Sequence, residues 1–200
     1  MKNIRILFLY PPEQSWPKTM VKPNGSLAYP YLGGALRDIN VESYVYDACI
    51  GNDDDNLDDF FNKSSELPTG MIRTGVSDER ILEIASNYDA IGITSIFSQQ
   101  ETQVLNCAKI IKKKFPNKLL FSGGVNAKSR SSIFFAAGFD IIFTSESEIA
   151  IQLVAKIMQK NSNDFSQVGK IYFKNKDGKI IDNSHFGEIL MDLDELPIPA

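Results

Sequence analysis

Short apolar segments alternate with longer amphipathic segments along most of this chain. Five of the apolar segments have the length of buried strands, at residues 4–10, 42–48, 90–94, 118–122 and 139–144. A run of this kind is typical of a parallel strand that helices cover on both faces. After each strand, apolar residues recur at helical spacing, which predicts helices over residues 27–39, 77–88, 102–115, 129–137 and 149–160.

Strands that alternate with helices in this way predict an α/β fold with a doubly wound, five-stranded parallel sheet. Right-handed crossovers favour the flavodoxin-like strand order 2-1-3-4-5. In such sheets, ligands bind outside the carboxyl ends of the strands, where the strand order reverses. That point lies between strands one and three, where we expect a long irregular loop at 11–26 to meet the loop at 95–101, with the turn at 123–127 beside them.

The chain beyond residue 160 predicts a small appendage to this domain. Residues 170–174 and 179–182 form a predicted β-hairpin, with Asp177-Gly178 as its turn. We therefore expect an α/β domain over residues 1–160, and a linker, hairpin and lead-in segment over residues 161–200. Residues 49–75 are the least regular part, where we expect a solvated acidic loop followed by a short helix.

Composition and charge exclude several classes of partner. The 200 residues carry a formal net charge of −4 without a clustered basic face, so we expect no nucleic acid partner. No apolar run approaches the roughly 20 residues of a membrane span. The two cysteines, Cys49 and Cys107, lie far apart and form no C-x-x-C pair. This usage favours a reducing, cytoplasmic location without a disulfide framework.

Gly123 and Gly124 close the fourth strand and lead into a helix. Two adjacent residues without side chains at the carboxyl end of a strand leave room for a large, flat ligand. A tight turn without a ligand explains the same pair equally well.

Several familiar sites are absent from the sequence. Strand one is followed by neither G-x-G-x-x-G nor a Ser/Thr-Gly-rich phosphate loop, and the chain has no G-x-x-x-x-G-K-[ST]. The only histidine, His185, lies beyond the hairpin, so a metal site of histidines and cysteines is not supported. No residue is a convincing acid, base or nucleophile, and we assign neither a catalytic residue nor a metal ligand.

Seven motifs follow one another in an order that resembles a known family. They lie at residues 6–12, 29–37, 46–47, 89–95, 123–127, 144–148 and 192–200. Together they resemble the N-terminal, Rossmann-like cobalamin-binding domain of cobalamin-dependent radical SAM enzymes. Residues 123–127 are similar to the family's "G-G-x-H-A" turn, and residues 193–199 to its "L-D-x-L-P-x-P" lead-in.

The resemblance implies that the chain binds base-off cobalamin at the carboxyl edge of the sheet. The implied cofactor-binding residues are Tyr10, Pro11, Pro12, Ser95, Phe97, Gly123, Gly124, Val125, Asn126, Ser145 and Glu146. Asn126 replaces the family's histidine, and Ser145 and Ser147 replace the glycines of "G-E-G-E". Cys49 stands where cobalamin mutases have the histidine that ligates cobalt, so we expect no histidine from this domain on the metal.

The family's activity needs parts that this sequence does not contain. There is no C-x-x-x-C-x-x-C motif for a 4Fe-4S cluster, so S-adenosylmethionine and the cluster are expected only in a missing C-terminal radical SAM barrel. The resemblance implies a domain of an enzyme, of methyltransferase type. The alternative is a degenerate or stand-alone module, acting as a corrinoid carrier or a protein interface without catalysis.

Overall fold

The computed structural model of the protein describes residues 2–20, 25–195 and 198–199. The predicted lead-in at 192–200 and the loop at 11–26 therefore lie partly outside the described residues. The strands are β1 (Arg5–Tyr10), β2 (Glu13–Ser15), β3 (Glu42–Asp47), β4 (Ser65–Glu66), β5 (Ile72–Thr74), β6 (Ala90–Thr94), β7 (Leu119–Gly123), β8 (Ile141–Phe143), β9 (Ile171–Lys174) and β10 (Ile180–Asp182). The α-helices are α1 (Ala28–Arg37), α2 (Leu57–Phe60), α3 (Asp78–Ser86), α4 (Glu101–Lys114), α5 (Val125–Ser129), α6 (Ser131–Ala137) and α7 (Glu148–Gln159).

The central sheet confirms the predicted fold class and strand order. Its parallel strands run β3-β1-β6-β7-β8, which is the order 2-1-3-4-5 of the five predicted strands. Strand β1 lies between β3 and β6, where Leu9 pairs with Tyr46 of β3 on one side and with Ile93 of β6 on the other. The topological switch point therefore lies between β1 and β6.

The C-terminal hairpin is present, but it is not an appendage. Strand β9 pairs antiparallel with β8, with Phe143 opposite Ile171, so the hairpin extends the central sheet to seven strands. An isolated two-stranded hairpin is at best marginally stable in water. Ile171 and Phe173 are buried in the same cluster as the parallel strands, which gives the hairpin its stability. The domain boundary at residue 160 stays a prediction.

The sheet divides the core into two faces. Ile6 and Phe8 of β1 point to the face that α1 and α7 cover, whereas Leu7 and Leu9 point to the face that α3, α4 and α6 cover. This alternation follows from the period of two along a strand. Among the described residues, no helix is long and apolar enough to cross a membrane.

A second, three-stranded sheet lies where the sequence predicted irregular loops. Strand β2 pairs antiparallel with β5, which also pairs with β4. The expectation of an entirely irregular loop after β1 is therefore wrong at Glu13–Ser15. Strands of two or three residues are too short to show a period of two in the sequence, and their pairing depends on contacts between distant segments.

The acidic segment after β3 is only partly solvated. The short helix predicted there is confirmed as α2. The Asp55 side chain is only 9% exposed, and its carboxylate accepts hydrogen bonds from Arg80 Nε at 2.8 Å and from the Tyr46 hydroxyl at 2.9 Å. Burial raises the pKa of Asp55, but hydrogen bonds from the Asn52 amide and Arg80 outweigh burial and lower it below its ordinary value. Asp55 thus fixes this segment to the sheet.

Candidate functional site

A cleft of about 530 Å³ opens at the carboxyl edge of the central sheet, on the face covered by α1 and α7. Its walls come from the ends of β6, β7 and β8, the first two turns of α1, the turn after β7, and residues 144–148 at the start of α7. The volume lies within the range of about 300–1,000 Å³ that is typical of small-molecule sites. The cleft is therefore the candidate functional site.

Aromatic rings form the floor of the cleft. Phe121 packs edge-to-face against Phe8 at 6.2 Å and against Phe143 at 5.6 Å between ring centroids. Tyr29 of α1 stacks on Phe8 at 5.1 Å. These residues share one face of the sheet because each strand alternates its side chains between the two faces. The bottom of the cleft is therefore an apolar surface of tightly packed aromatic rings.

The Tyr29 hydroxyl closes the crevice at the topological switch point. It accepts a hydrogen bond from the Thr94 amide at 2.9 Å and donates one to the Leu9 carbonyl at 2.7 Å. These bonds join β1 and β6 just beyond Leu9 and Ile93, their last registered pair. The cleft therefore lies to one side of the switch point, over β6, β7 and β8. Burial raises the pKa of Tyr29, which keeps the hydroxyl protonated.

The two glycines after β7 have different roles. A Cβ added to Gly123 would meet only the Phe143 Cβ, at an ordinary 3.6 Å, so this residue leaves open space in the cleft. Gly124 has a φ of +101°, and a Cβ there would lie 2.6 Å from the Ser95 carbonyl oxygen. The tight-turn interpretation therefore holds for Gly124, and the open-space interpretation for Gly123.

Ser95 and Asn126 bind each other beside the cleft without lining it. The Asn126 amide donates to the Ser95 hydroxyl at 2.9 Å and to the Glu101 carboxylate at 3.3 Å. Arg130 pairs with the same carboxylate at 2.6 Å. This network anchors the turn that contains the two glycines.

Ser145 and Glu146 lie at the outer rim, where they line the cleft with Lys128. The Ser145 hydroxyl donates to the Glu146 carboxylate at 2.6 Å, and this bond lowers the pKa of Glu146, with a smaller contribution from Lys128. Helix α7 begins at Glu148 without a side-chain cap from Ser147.

Besides Ser95 and Asn126, four more of the predicted residues do not line the cleft. Tyr10, Pro11 and Pro12 are buried at the end of β1, where the Tyr10 hydroxyl accepts a hydrogen bond from Gln100 at 2.7 Å. Burial raises the pKa of Tyr10 to about 12. Phe97 is 65% exposed near the mouth of the cleft, where Val125 and Ile96 line the wall and are also exposed.

The aromatic floor was missed by the sequence analysis. Phe121 stands two residues before Gly123, and this spacing places both on one face of β7. Phe8 likewise stands two residues before Tyr10, another predicted residue, and lies on the same face of β1. The period of two along each strand was therefore the signal that could have identified Phe8 and Phe121. The contribution of Tyr29 and Leu32 from α1 depends on tertiary packing and has no such signal.

The described residues include no group of three or more histidine, cysteine or acidic side chains that could hold a metal ion. Cys49 and Cys107 are free and buried. Burial raises the pKa of each thiol to about 12. Both cysteines are therefore protonated near neutral pH.

Comparisons with known proteins give the same fold. No protein-family model matches the chain. The cobalamin-dependent S-adenosylmethionine radical enzyme OxsB, solved with aqua-cobalamin bound, matches 98% of this chain and 24% of its own, with a TM-score of 0.68 and 16% identity. The radical S-adenosylmethionine methyltransferase TsrM from Kitasatospora setae, solved with cobalamin and a [4Fe-4S] cluster bound, matches 91% of this chain and 31% of its own, with a TM-score of 0.65 and 11% identity.

One curated protein is similar in sequence. The cytidylyl-2-hydroxyethylphosphonate methyltransferase of Streptomyces wedmorensis is 28% identical over 113 residues, which are 55% of this chain and 21% of that protein. The chain thus spans only about a fifth of this relative. These matches confirm the resemblance to cobalamin-dependent radical SAM enzymes, and the solved structures show that the chain shares the fold of part of them.

Proposed function

We propose that this chain is a cobalamin-binding domain of a longer radical SAM enzyme, of methyltransferase type. In this proposal the cofactor binds base-off, with its nucleotide tail in the cleft and its corrin ring over the carboxyl edge of the sheet. The supporting observation is the cleft itself, because it joins an aromatic floor to an apolar mouth at the edge of the sheet where such folds bind ligands.

The shape and polarity of the cleft fit such a tail. The open space above Gly123 and the floor formed by Phe121 and Phe143 suit a flat, apolar base. Ile96, Phe97 and Val125 are exposed around the mouth, where they would contact the apolar part of a corrin ring. Exposed apolar groups that surround a cleft are typical of a binding surface.

The rim can hold the phosphate of the tail. Lys128 lines the cleft. The first backbone amides of α7, which begins without a side-chain cap from Ser147, favour an anion. Glu146 and Glu148 lie at the same rim and would repel a phosphate placed against them. The phosphate is therefore expected nearer to Lys128 than to these carboxylates.

Bound cobalamin would supply the methyl-carrying cobalt, whereas the residues of this chain would bind and orient it. No histidine of the described residues lines the cleft, so we expect none from this domain on the cobalt. S-adenosylmethionine and a 4Fe-4S cluster would bind in a radical SAM barrel elsewhere in the longer protein. A reducing, cytoplasmic location fits the two free, buried cysteines.

The exposed apolar side chains at the mouth also support an alternative function. Ile96, Phe97 and Val125 would serve equally as an interface for another protein or domain if the cleft held no cofactor. The two functions make opposite predictions about cofactor retention.

The test is optical. The purified chain is incubated with hydroxocobalamin and desalted, and the visible spectrum of the protein fraction is recorded. We expect near-stoichiometric cobalamin in a base-off form. A Gly123→Leu variant, whose side chain enters the cleft, should lose most of this absorbance. An Ala136→Leu variant, which adds a leucine at an exposed position of α6 outside the cleft, is the control and should retain it.

A colourless wild-type protein under both oxidised and reduced conditions would contradict the proposed function and favour the interface. Retention that is unchanged in a folded Gly123→Leu variant would instead contradict the placement of the tail in the cleft.

A further inference from the structure

Strand β3 is the last strand on one side of the central sheet, and its outer side has no partner strand among the described residues. We infer that this strand is an interaction surface for a second copy of the chain, in which the two β3 strands pair antiparallel about a two-fold axis at Tyr44. The cleft lies over β6, β7 and β8, away from β3, so the inference does not depend on the proposed function.

The backbone groups of β3 alternate between its inner and outer sides. The Ala48 amide donates to the Tyr10 carbonyl at 2.8 Å, so the backbone of Ala48 faces β1. Successive residues of a strand direct their backbone groups to opposite sides. The groups of Tyr44 therefore also face β1, whereas those of Ser43 and Val45 face outward. The outward amides and carbonyls of these two residues have no partner in the part of the chain that the structure describes.

One symmetric register pairs these outward groups with each other. When Tyr44 faces its own counterpart, Ser43 of each copy faces Val45 of the other. Each of these two facing pairs exchanges two hydrogen bonds, as the hydrogen-bonded pairs of an antiparallel ladder do. This register therefore uses all the outward groups of Ser43 and Val45 in both copies.

The neighbouring registers would need backbone groups that already have partners. A shift toward the start of β3 would pair Val45 with Val41, but the Val41 amide donates to the Leu36 carbonyl at 3.0 Å. A shift toward the end of β3 would use Asp47, whose carbonyl accepts from the Gly51 amide at 2.7 Å. The register about Tyr44 is therefore the favoured one.

The side chains of β3 also suit this register. Tyr44 is 54% exposed and packs against Tyr88, with 6.2 Å between the ring centroids. The two Tyr44 side chains would form a facing pair without mutual backbone bonds, the kind in which side chains lie closest and aromatic rings add stability. Glu42 pairs with Arg5 Nε at 3.4 Å and would face Tyr46 of the other copy. No like charges would then lie directly opposite each other.

The strand on the other side of the sheet is protected from such pairing. Strand β10 has only three residues, follows Lys179 and ends at Asp182. Short edge strands and charged side chains discourage pairing between chains. Strand β3 has six residues, among which there is neither a lysine nor a proline. The contrast favours β3 as the strand that pairs.

The experiment measures the molar mass of the purified chain by sedimentation over a dilution series. We expect a dimer at about 100 μM that dissociates on dilution, as a small interface would. Tyr44→Lys places like charges directly opposite each other and should weaken association at least about tenfold. Ile180→Lys is the control, because it adds the same charge at a 51% exposed position of β10, and it should associate like the wild type.

Two results of the dilution series would overturn the inference. One is a wild-type chain that stays monomeric at about 100 μM. The other is a dimer that a folded Tyr44→Lys variant retains, or that Ile180→Lys weakens to the same extent.

A pair of cysteine variants tests the register. In the proposed dimer the two Cα atoms at Tyr44 lie about 4.5 Å apart, within reach of a disulfide, whereas those at Val45 are diagonal neighbours about 7–8 Å apart. After oxidation with diamide, we expect Tyr44→Cys to give a covalent dimer on a non-reducing gel and Val45→Cys to give little. Cys49 and Cys107 are buried, so the wild type should stay monomeric on this gel. Equal cross-linking of both variants, or none of Tyr44→Cys, would overturn the register.

Discussion

The two edges of the central sheet carry two different cavities. The cleft at the carboxyl edge is floored by aromatic rings, whereas a larger groove of about 900 Å³ at the amino edge is lined by lysine, asparagine and acidic side chains. Volume alone would favour the amino-edge groove as the functional site. The polar groups of that groove, however, are largely paired within the protein.

The direction of the helices explains this difference. Helices α3, α4 and α6 end at the amino edge, where their last carbonyls need donors. Lys118 donates to the carbonyls of Ala85 and Tyr88, and Lys174 donates to that of Phe135. At the carboxyl edge helices begin, and α7 has no side-chain cap there. Charges at the amino edge thus stabilise the fold, while the carboxyl edge keeps groups available for a ligand.

The largest expected effect on stability is at the turn beside the cleft. Gly124→Ala places a Cβ against the Ser95 carbonyl at a positive φ, which we expect to lower the free energy of unfolding by at least about 2 kcal/mol. Gly123→Ala has room for its Cβ and should cost less than about 1 kcal/mol. Urea unfolding followed by circular dichroism measures both, and equal costs would contradict the different roles of the two glycines.

A change at the amino edge should affect stability without affecting binding. Asp140 pairs with Lys112 at 2.7 Å and also accepts a hydrogen bond from the Leu120 amide at 2.8 Å. Asp140→Ala leaves both donors without this partner and should cost about 1–3 kcal/mol of unfolding free energy. Cobalamin retention at a temperature where the variant stays folded should match the wild type. If the folded variant lost cobalamin, the amino edge would also affect binding, which would contradict the different roles of the two edges.

The smallest effect is expected from a carboxyl group at the end of β3, on the same edge of the sheet as the cleft but outside its lining. Burial raises the pKa of Asp47 above its ordinary value, although hydrogen bonds from the amides of Cys49 and Ile50 oppose this shift. The folded state therefore holds the Asp47 proton more tightly than the unfolded state, so this group's contribution to stability falls as pH rises from about 4 through its raised pKa.

Asp47→Asn removes that titration and keeps an oxygen acceptor. We expect the variant to have a slightly higher urea midpoint than the wild type at pH 7. At pH 3 the two midpoints should be the same, because Asp47 of the wild type is then mostly protonated in both the folded and the unfolded state. A lower midpoint at pH 7 would show that the charged form of Asp47 stabilises the fold.

Most of the fold could be predicted from the sequence, because the parallel strands are continuous apolar segments. Such a segment must be buried on both faces, and this requirement fixes the alternation of strands and helices and, with right-handed crossovers, their order. The second sheet was not accessible, since strands such as β4 and β5 are too short for a sequence period. The hairpin was predicted from its turn, but its pairing with β8 depends on the exposed edge of that strand.

Part of the lining of the cleft was also predictable from local sequence. The turn at Gly123 follows from a local pattern, and five of the predicted residues line the cleft, namely Gly123, Gly124, Val125, Ser145 and Glu146. Ser95 and Asn126 were expected to face a ligand, yet each satisfies the other, because a buried polar group takes the nearest available partner.

The sequence by itself determined the α/β class and the order of the parallel strands, because hydrophobic periodicity and chain connectivity are properties of local segments. The carboxyl edge of the sheet stays a prediction as the place where a ligand binds. Only the tertiary structure decided where on that edge the cleft opens. Tyr29 reaches β1 and β6 from another element, and its hydroxyl fills the crevice between them. Which cavities stay open therefore depends on contacts between residues that are distant in the chain.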